Sequence, residues 1–175
     1  MNALRLRLRE ITENAPADDH PRLIEDLRRV HARTIELVVA RARIERYTCA
    51  VHALDLIENR EYEKIVWAAQ GDVVFASTGF VQRLIDRELL VKADLPGPGR
   101  LVVYRDGDLV THIGKTLSPE RVESKWGIGQ RWRHGLWEVP SQYGCDVEFF
   151  DAIDTDTVLD EMVEFAKENG VSFEE

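Results

Sequence analysis

Apolar side chains recur at three- and four-residue steps over most of the first ninety residues and at two-residue steps over much of the remainder, so helices come first and strands second. Residues 3–14 and 21–46 both carry the helical period. In the longer segment Leu23, Leu27, Val30, Thr34, Leu37, Val38 and Ala42 form the stripe, with Glu and Arg between them. Pro16-Ala17-Asp18-Asp19 separates the two segments, and Pro21 suits the first turn of the second. A further helix is expected to open beside Thr48, its N-cap, and to run through Cys49, Ala50, Val51, Ala53, Leu54 and Leu56. Residues 60–70 continue helically. Ser77-Thr78 introduces another helix, Phe80 to Leu90, with Val81, Leu84, Ile85 and Leu89 inward.

The period changes at Pro96-Gly97-Pro98-Gly99. Strands are predicted over 100–105, 109–116 and 121–126, the first two joined through an Asp106-Gly107 hairpin turn, with further short strands over 136–139 and 145–150. A last helix over 155–169 has Val158, Met162 or Val163, and Phe165 or Ala166 on one side, and Gly170 stops it. Helices, then an antiparallel meander, then a helix make an α+β chain. It divides into a helical extension (1–45), an α+β core (46–152) and a C-terminal helix (153–175). The stripe of the extension is expected to cover the core's own sheet rather than a second copy.

A length of 175 residues suits one domain with its own core, and 44% hydrophobic against 31% charged residues fits a globular protein without a membrane-spanning run. The start, Met1-Asn2-Ala3-Leu4-Arg5-Leu6-Arg7, has no uninterrupted apolar stretch, so a cytoplasmic location is expected. The net charge of −9 is local: residues 145–175 hold 11 of the 32 acids and one of the 23 bases, leaving residues 1–144 with 22 bases against 21 acids. That distribution argues against nucleic-acid binding, which calls for a basic excess or face.

The nearly neutral body holds the candidate chemistry. Cys49 stands at an expected helix start, where free N–H groups and the helix dipole favour thiolate. His112 lies in a strand with Gly114 two residues on, on the same face, leaving room beside the imidazole. Ser124, on the next strand, is placed to pair with the far ring nitrogen of His112. His134 and Trp126, in an aromatic-rich stretch, and Tyr47 are expected to wall the cleft or supply an oxyanion donor beside the Cys49 N–H. Lys125 could read an anionic substrate, although strand alternation favours a solvated lysine. Cys145, beside Asp146 and Glu148, is expected to be inert. Cys49-Ala50-Val51-His52 has C-x-x-H spacing, but a structural zinc takes four Cys or His ligands and would have to recruit His112 and His134. No metal and no cofactor is expected. His20 and His31 show no partner.

The order of these elements resembles the papain-like superfamily in its NlpC-type peptidase branch. There a nucleophilic Cys opens a helix, a His stands in a His-aliphatic-Gly strand, and a third polar residue follows on the next strand. The positions that match are Cys49, His112 and Ser124, and Gly99-Arg100-Leu101-Val102-Val103-Tyr104 is similar to the strand that precedes the His strand. Around the thiol this chain reads Thr48-Cys49-Ala50-Val51 where that branch has Asp-Cys-Ser-Gly. Arg121-Val122-Glu123-Ser124-Lys125-Trp126-Gly127, followed by His134, Val139-Pro140 and Tyr143-Gly144, resembles a bacterial family of the same general shape.

The resemblance covers roughly residues 46–150 and implies a papain-like core whose Cys49–His112 pair cleaves or transfers at an amide or peptide-type bond. The competing expectation is an adaptor, inhibitor or immunity-type protein on the same fold, whose acidic C-terminal surface steers a basic partner.

Overall fold

The computed structural model describes residues 3–31, 34–39, 47–68 and 75–172. The chain is α+β, and its described residues form one seven-stranded antiparallel sheet. Its helices are α1 (Ala3–Asn14), α2 (His20–His31), α3 (Cys49–Ala53), α4 (Arg60–Ala68), α5 (Thr78–Asp86) and α6 (Thr155–Glu168). The strands are β1 (Glu36–Val38), β2 (Lys92–Ala93), β3 (Leu101–Asp106), β4 (Leu109–Ser118), β5 (Arg121–Lys125), β6 (Arg131–Gly135) and β7 (Asp146–Phe150), in the spatial order β1-β6-β5-β4-β3-β7-β2.

Strand alternation divides two cores across this sheet. Leu101 and Val103 of β3 face one side, where they meet Ala50 and Val51 of α3, Phe80 and Leu84 of α5, and Val158 and Met162 of α6. Val102 and Tyr104 face the other, with Val122, Trp126 and Trp132, beneath Leu4, Leu8 and Ile11 of α1 and Ile24 of α2. The N-terminal helices therefore cover the second face of the same sheet, and β1 lengthens that sheet by pairing with β6. The helix expected over 21–46 stops at His31, and Glu36–Val38 is strand; residues 40–46 of it lie outside the described residues. Leu37 and Val38 fit both periods over so short a span, and β6 offers the free edge. The strand expected over 136–139 is instead Arg131–Gly135, followed by a turn in which Glu138 N–H donates to Gly135 C=O at 2.9 Å.

Local chemistry sets the helix starts, at Thr48 and Ser77 as the sequence implied. Thr48 Oγ1 accepts from Val51 N–H at 3.1 Å and donates to the Ala76 carbonyl at 2.5 Å, capping α3. Ser77 and Asp154 cap α5 and α6 in the same way. The acidic end is partly neutralised within the chain: Arg83 and Arg87 of α5 pair with Glu161 and Glu168 of α6, Lys92 and Arg105 with Glu148, and Arg100 with Asp151. Among the described residues no helix is long and apolar enough to cross a membrane.

Candidate active site

Cys49 and His112, chosen from opposite ends of the core sequence, line one cleft of about 650 Å³. Its other walls include Tyr47, Thr111, Lys125, Gly127, Ile128 and Tyr143. The opening follows from register. β5 pairs with β4 at Lys115↔Glu123 and Thr116↔Val122, while β4 runs on past Ile113 toward Leu109 without a paired strand on that side among the described residues. The start of α3 lies there, and the backbone N–H of Ile113 faces the Cys49 sulfur.

Cys49 is half-buried, and burial raises its thiol above the ordinary value despite the opposing pull of the Ile113 and Ala50 amides and of Lys125. The expectation that a helix start would favour thiolate is thus reversed. α3 is only five residues long, and desolvation outweighs what so short a helix supplies. His112 is 1% exposed and its imidazole is held well below 6.5, first by burial and then by His134, His52 and Lys125. Both groups are therefore neutral at pH 7. The imidazole stacks on Tyr143, with centroids 3.9 Å apart and planes 6° from parallel, and its Nε2 has no hydrogen-bond partner.

Ser124 does not orient His112. Continuing the β4–β5 register puts Ser124 across from Gly114, where a built Cβ would stand 2.8 Å from that of Ser124. The Ser124 hydroxyl turns toward β6 and meets His134 Nε2 at 2.9 Å, while Trp126 Nε1–H donates to Ser124 Oγ at 3.1 Å. His134 Nδ1 lies 2.9 Å from the Gly135 carbonyl, which can only accept. Hence Nδ1 carries the proton, Nε2 accepts from Ser124, and the Trp126–Ser124–His134 chain is closed. It is a buried polar network of the second core, and neither His134 nor Trp126 lines the cleft. Tyr47 does line it, with its hydroxyl buried and without a hydrogen-bond partner.

Two further residues, Tyr143 and Lys125, line the cleft beside the thiol and the imidazole. Tyr143 ends a 3-10 turn, Ser141–Tyr143, that the fold secures from several directions. Thr111 Oγ1 donates to its carbonyl at 2.7 Å, Arg5 of α1 reaches the carbonyls of Val139 and Gly144, and Gln142 Nε2 donates to Thr12 Oγ1 at 3.0 Å. Gly144 turns at φ +86°, where any Cβ would overlap the Arg105 carbonyl. The sequence signal was the Tyr-Gly pair after Pro140. Lys125, expected to be solvated, is 2% exposed; its Nζ donates to the Gly127 carbonyl at 2.5 Å and lies 5.4 Å from the Tyr47 ring centroid.

The remaining candidates fall elsewhere. Cys145 is exposed, and the Asp146 carboxylate 3.6 Å away raises its thiol. His52 points to Glu123 at 3.6 Å and is lowered to about 4, chiefly by burial. His20 donates from Nε2 to the Ala15 carbonyl at 3.0 Å. Among the described residues no group of three or more His, Cys, Asp or Glu could hold a metal ion. No family model, curated protein or solved structure matches this chain.

Proposed function

We propose that the protein is a thiol hydrolase or acyltransferase acting on an amide or peptide-type bond through Cys49 and His112, on a papain-like, NlpC-type arrangement of its α+β core. The observation that supports it is the meeting, on one cleft, of a half-buried thiol at a helix start and a neutral imidazole on a strand, the imidazole held by an aromatic stack. His112 accepts the Sγ proton as sulfur attacks the carbonyl carbon; the S–C bond forms and the carbonyl oxygen takes the electron pair. The backbone N–H groups of Cys49 and Ala50, which face the sulfur, are the donors this reading assigns to the oxyanion. Collapse breaks the C–N bond, and the proton on His112 passes to the leaving nitrogen. Water then gives a proton to His112 and its oxygen to the thioester carbon. The C–S bond breaks, and sulfur recovers the proton. An amine in place of water gives acyl transfer.

In this reading Tyr143 holds the ring plane that the resemblance assigned to Ser124. The adaptor alternative has less support, because Glu148, Asp151, Glu161 and Glu168 of the acidic end already pair with bases of the body. The test is competitive alkylation of the folded protein with limiting iodoacetamide at neutral pH, resolved by peptide mass mapping. Cys49 is expected to be modified ahead of the more exposed Cys145, and His112→Ala is expected to remove the difference. Equal, slow modification of both thiols contradicts the proposal.

A further inference from the structure

We infer that the cleft selects substrates carrying an apolar side chain, aromatic or branched aliphatic, beside the scissile carbonyl, and that Ile128 at its mouth receives that side chain. This rests on the reading of Cys49 as the nucleophile and adds the substrate class to it. Ile128 lines the same cleft as the thiol and the imidazole, and is 69% exposed. A single exposed apolar residue is ordinary on a protein surface, so its setting has to carry the argument. It stands in the loop that joins β5 to β6, between Gly127 and Gly129, where glycine or a short polar residue is the usual choice. Its side chain belongs to neither hydrophobic core. Folding therefore gives no reason for a β-branched residue there, and the cleft does.

The loop holds Ile128 in place. Trp126 N–H donates to the Gln130 carbonyl at 3.1 Å, and Gly129 N–H to the Trp126 carbonyl at 2.8 Å. A Cβ on Gly129 would stand 2.3 Å from Nδ1 of His20, a fully buried residue of α2 that backs the loop. An apolar surface presented on a fixed loop binds without the ordering cost of a mobile one. The rest of the lining offers a substrate little polarity. Thr48 Oγ1 is engaged by Val51 N–H and the Ala76 carbonyl, Ser77 Oγ by Phe80 N–H, Thr111 Oγ1 by the carbonyls of Tyr104 and Tyr143, and Lys125 Nζ by the Gly127 carbonyl. The Tyr47 hydroxyl is buried, and among the described residues lining the cleft no side chain is acidic. With those polar atoms engaged, threonine methyls and the rings of Tyr47 and Tyr143 remain beside Ile128. Mostly apolar walls around a few fixed polar groups are the ordinary build of a pocket for an apolar group.

The experiment compares N-benzyliodoacetamide with iodoacetamide, two uncharged alkylating agents that differ in one benzyl group. Each forms the same S–C bond, expels iodide and releases the thiol proton, so the ratio of their rates at one cysteine cancels changes in thiol ionisation. The benzyl-to-parent ratio at Cys49 is expected to exceed that at the exposed Cys145 by about tenfold, the gain from taking roughly 55 Å² of apolar surface out of water. Ile128→Ser, at an exposed position, is expected to bring the Cys49 ratio down toward that of Cys145, and Ile128→Leu to keep it high. A measurement without a variant backs this up: N-acetylphenylalaninamide, and not N-acetylglycinamide at the same concentration, is expected to protect Cys49 of the wild-type protein from iodoacetamide.

Equal ratios at the two cysteines, a Cys49 ratio indifferent to Ile128→Ser, or equal protection by the two amides would overturn the inference. So would a ratio that falls as the protein is concentrated, which assigns Ile128 to contact with a second copy. These results leave the nucleophile untouched. Iodoacetamide labelling of Cys49 that is indifferent to His112→Ala instead removes the reading beneath it.

Discussion

Replacing Ser124 with Ala leaves two buried nitrogens, Trp126 Nε1 and His134 Nε2, without their hydrogen-bond partner. Each such loss costs about 1–3 kcal/mol. Ser124→Ala is therefore expected to lower the urea unfolding midpoint clearly while leaving the alkylation rate of Cys49 in the folded protein unchanged. A third member of a catalytic group would show the opposite pattern. Tyr143→Ala removes the surface on which the His112 ring stacks, and is expected to slow Cys49 alkylation at least several-fold; Tyr143→Phe, which keeps the ring, is expected to restore it. At this scale the sequence picked out Cys49 and His112, which the fold brings to one cleft, but misplaced Ser124 and Lys125. Ser124 and Lys125 look alike as polar residues on an alternating strand. The register of β4 on β5 turns one toward His134, and the chain's exit from β5 buries the other in the cleft.

The elements carry the site through contacts far apart in sequence. α1 serves the sheet with Leu4 and Leu8, and serves the cleft with Arg5 and Thr12, which hold the turn bearing Tyr143. Leu8 is fully buried, so Leu8→Ala is expected to destabilise the protein by about 2–5 kcal/mol, measured by urea or thermal unfolding. The helices were legible because α1, α2 and α6 carry apolar stripes over twelve to fourteen residues, and because Thr48 and Ser77 mark the starts of the shorter α3 and α5. β1 was not legible. Three residues cannot distinguish a two-residue from a three-to-four-residue period, and only the edge of β6 decides between them. The same holds for β6, whose Arg-Trp-Arg-His-Gly sequence mixes buried and exposed positions without an apolar run.

Across the whole molecule, three buried histidines tie folding to pH. His52 and His134 are lowered to about 4 and His112 lies well below 6.5, in each case mainly because burial penalises the imidazolium. Their native-state values fall below the 6.5 of an unfolded chain, so the unfolded state binds more protons as the pH drops. Stability is therefore fully present above about pH 6.5 and falls as the pH descends toward about 4. Urea midpoints measured between pH 7.5 and pH 4.5, a range set by those ionisations, are expected to fall steadily; a flat profile contradicts the neutral burial of these rings.

The central claim is that Cys49 and His112 act as one unit, with the thiol and the imidazole both neutral at rest. Its most direct test is the rate of iodoacetamide alkylation of Cys49, followed against pH in a Cys145→Ala background with and without His112→Ala. With His112 present, the rate is expected to be measurable at neutral pH and to keep rising into the alkaline range, as a raised thiol requires. Without His112, the neutral rate is expected to fall at least tenfold, the scale of an intramolecular general base. Identical profiles for the two proteins, or a plateau already reached below pH 7, would contradict the account.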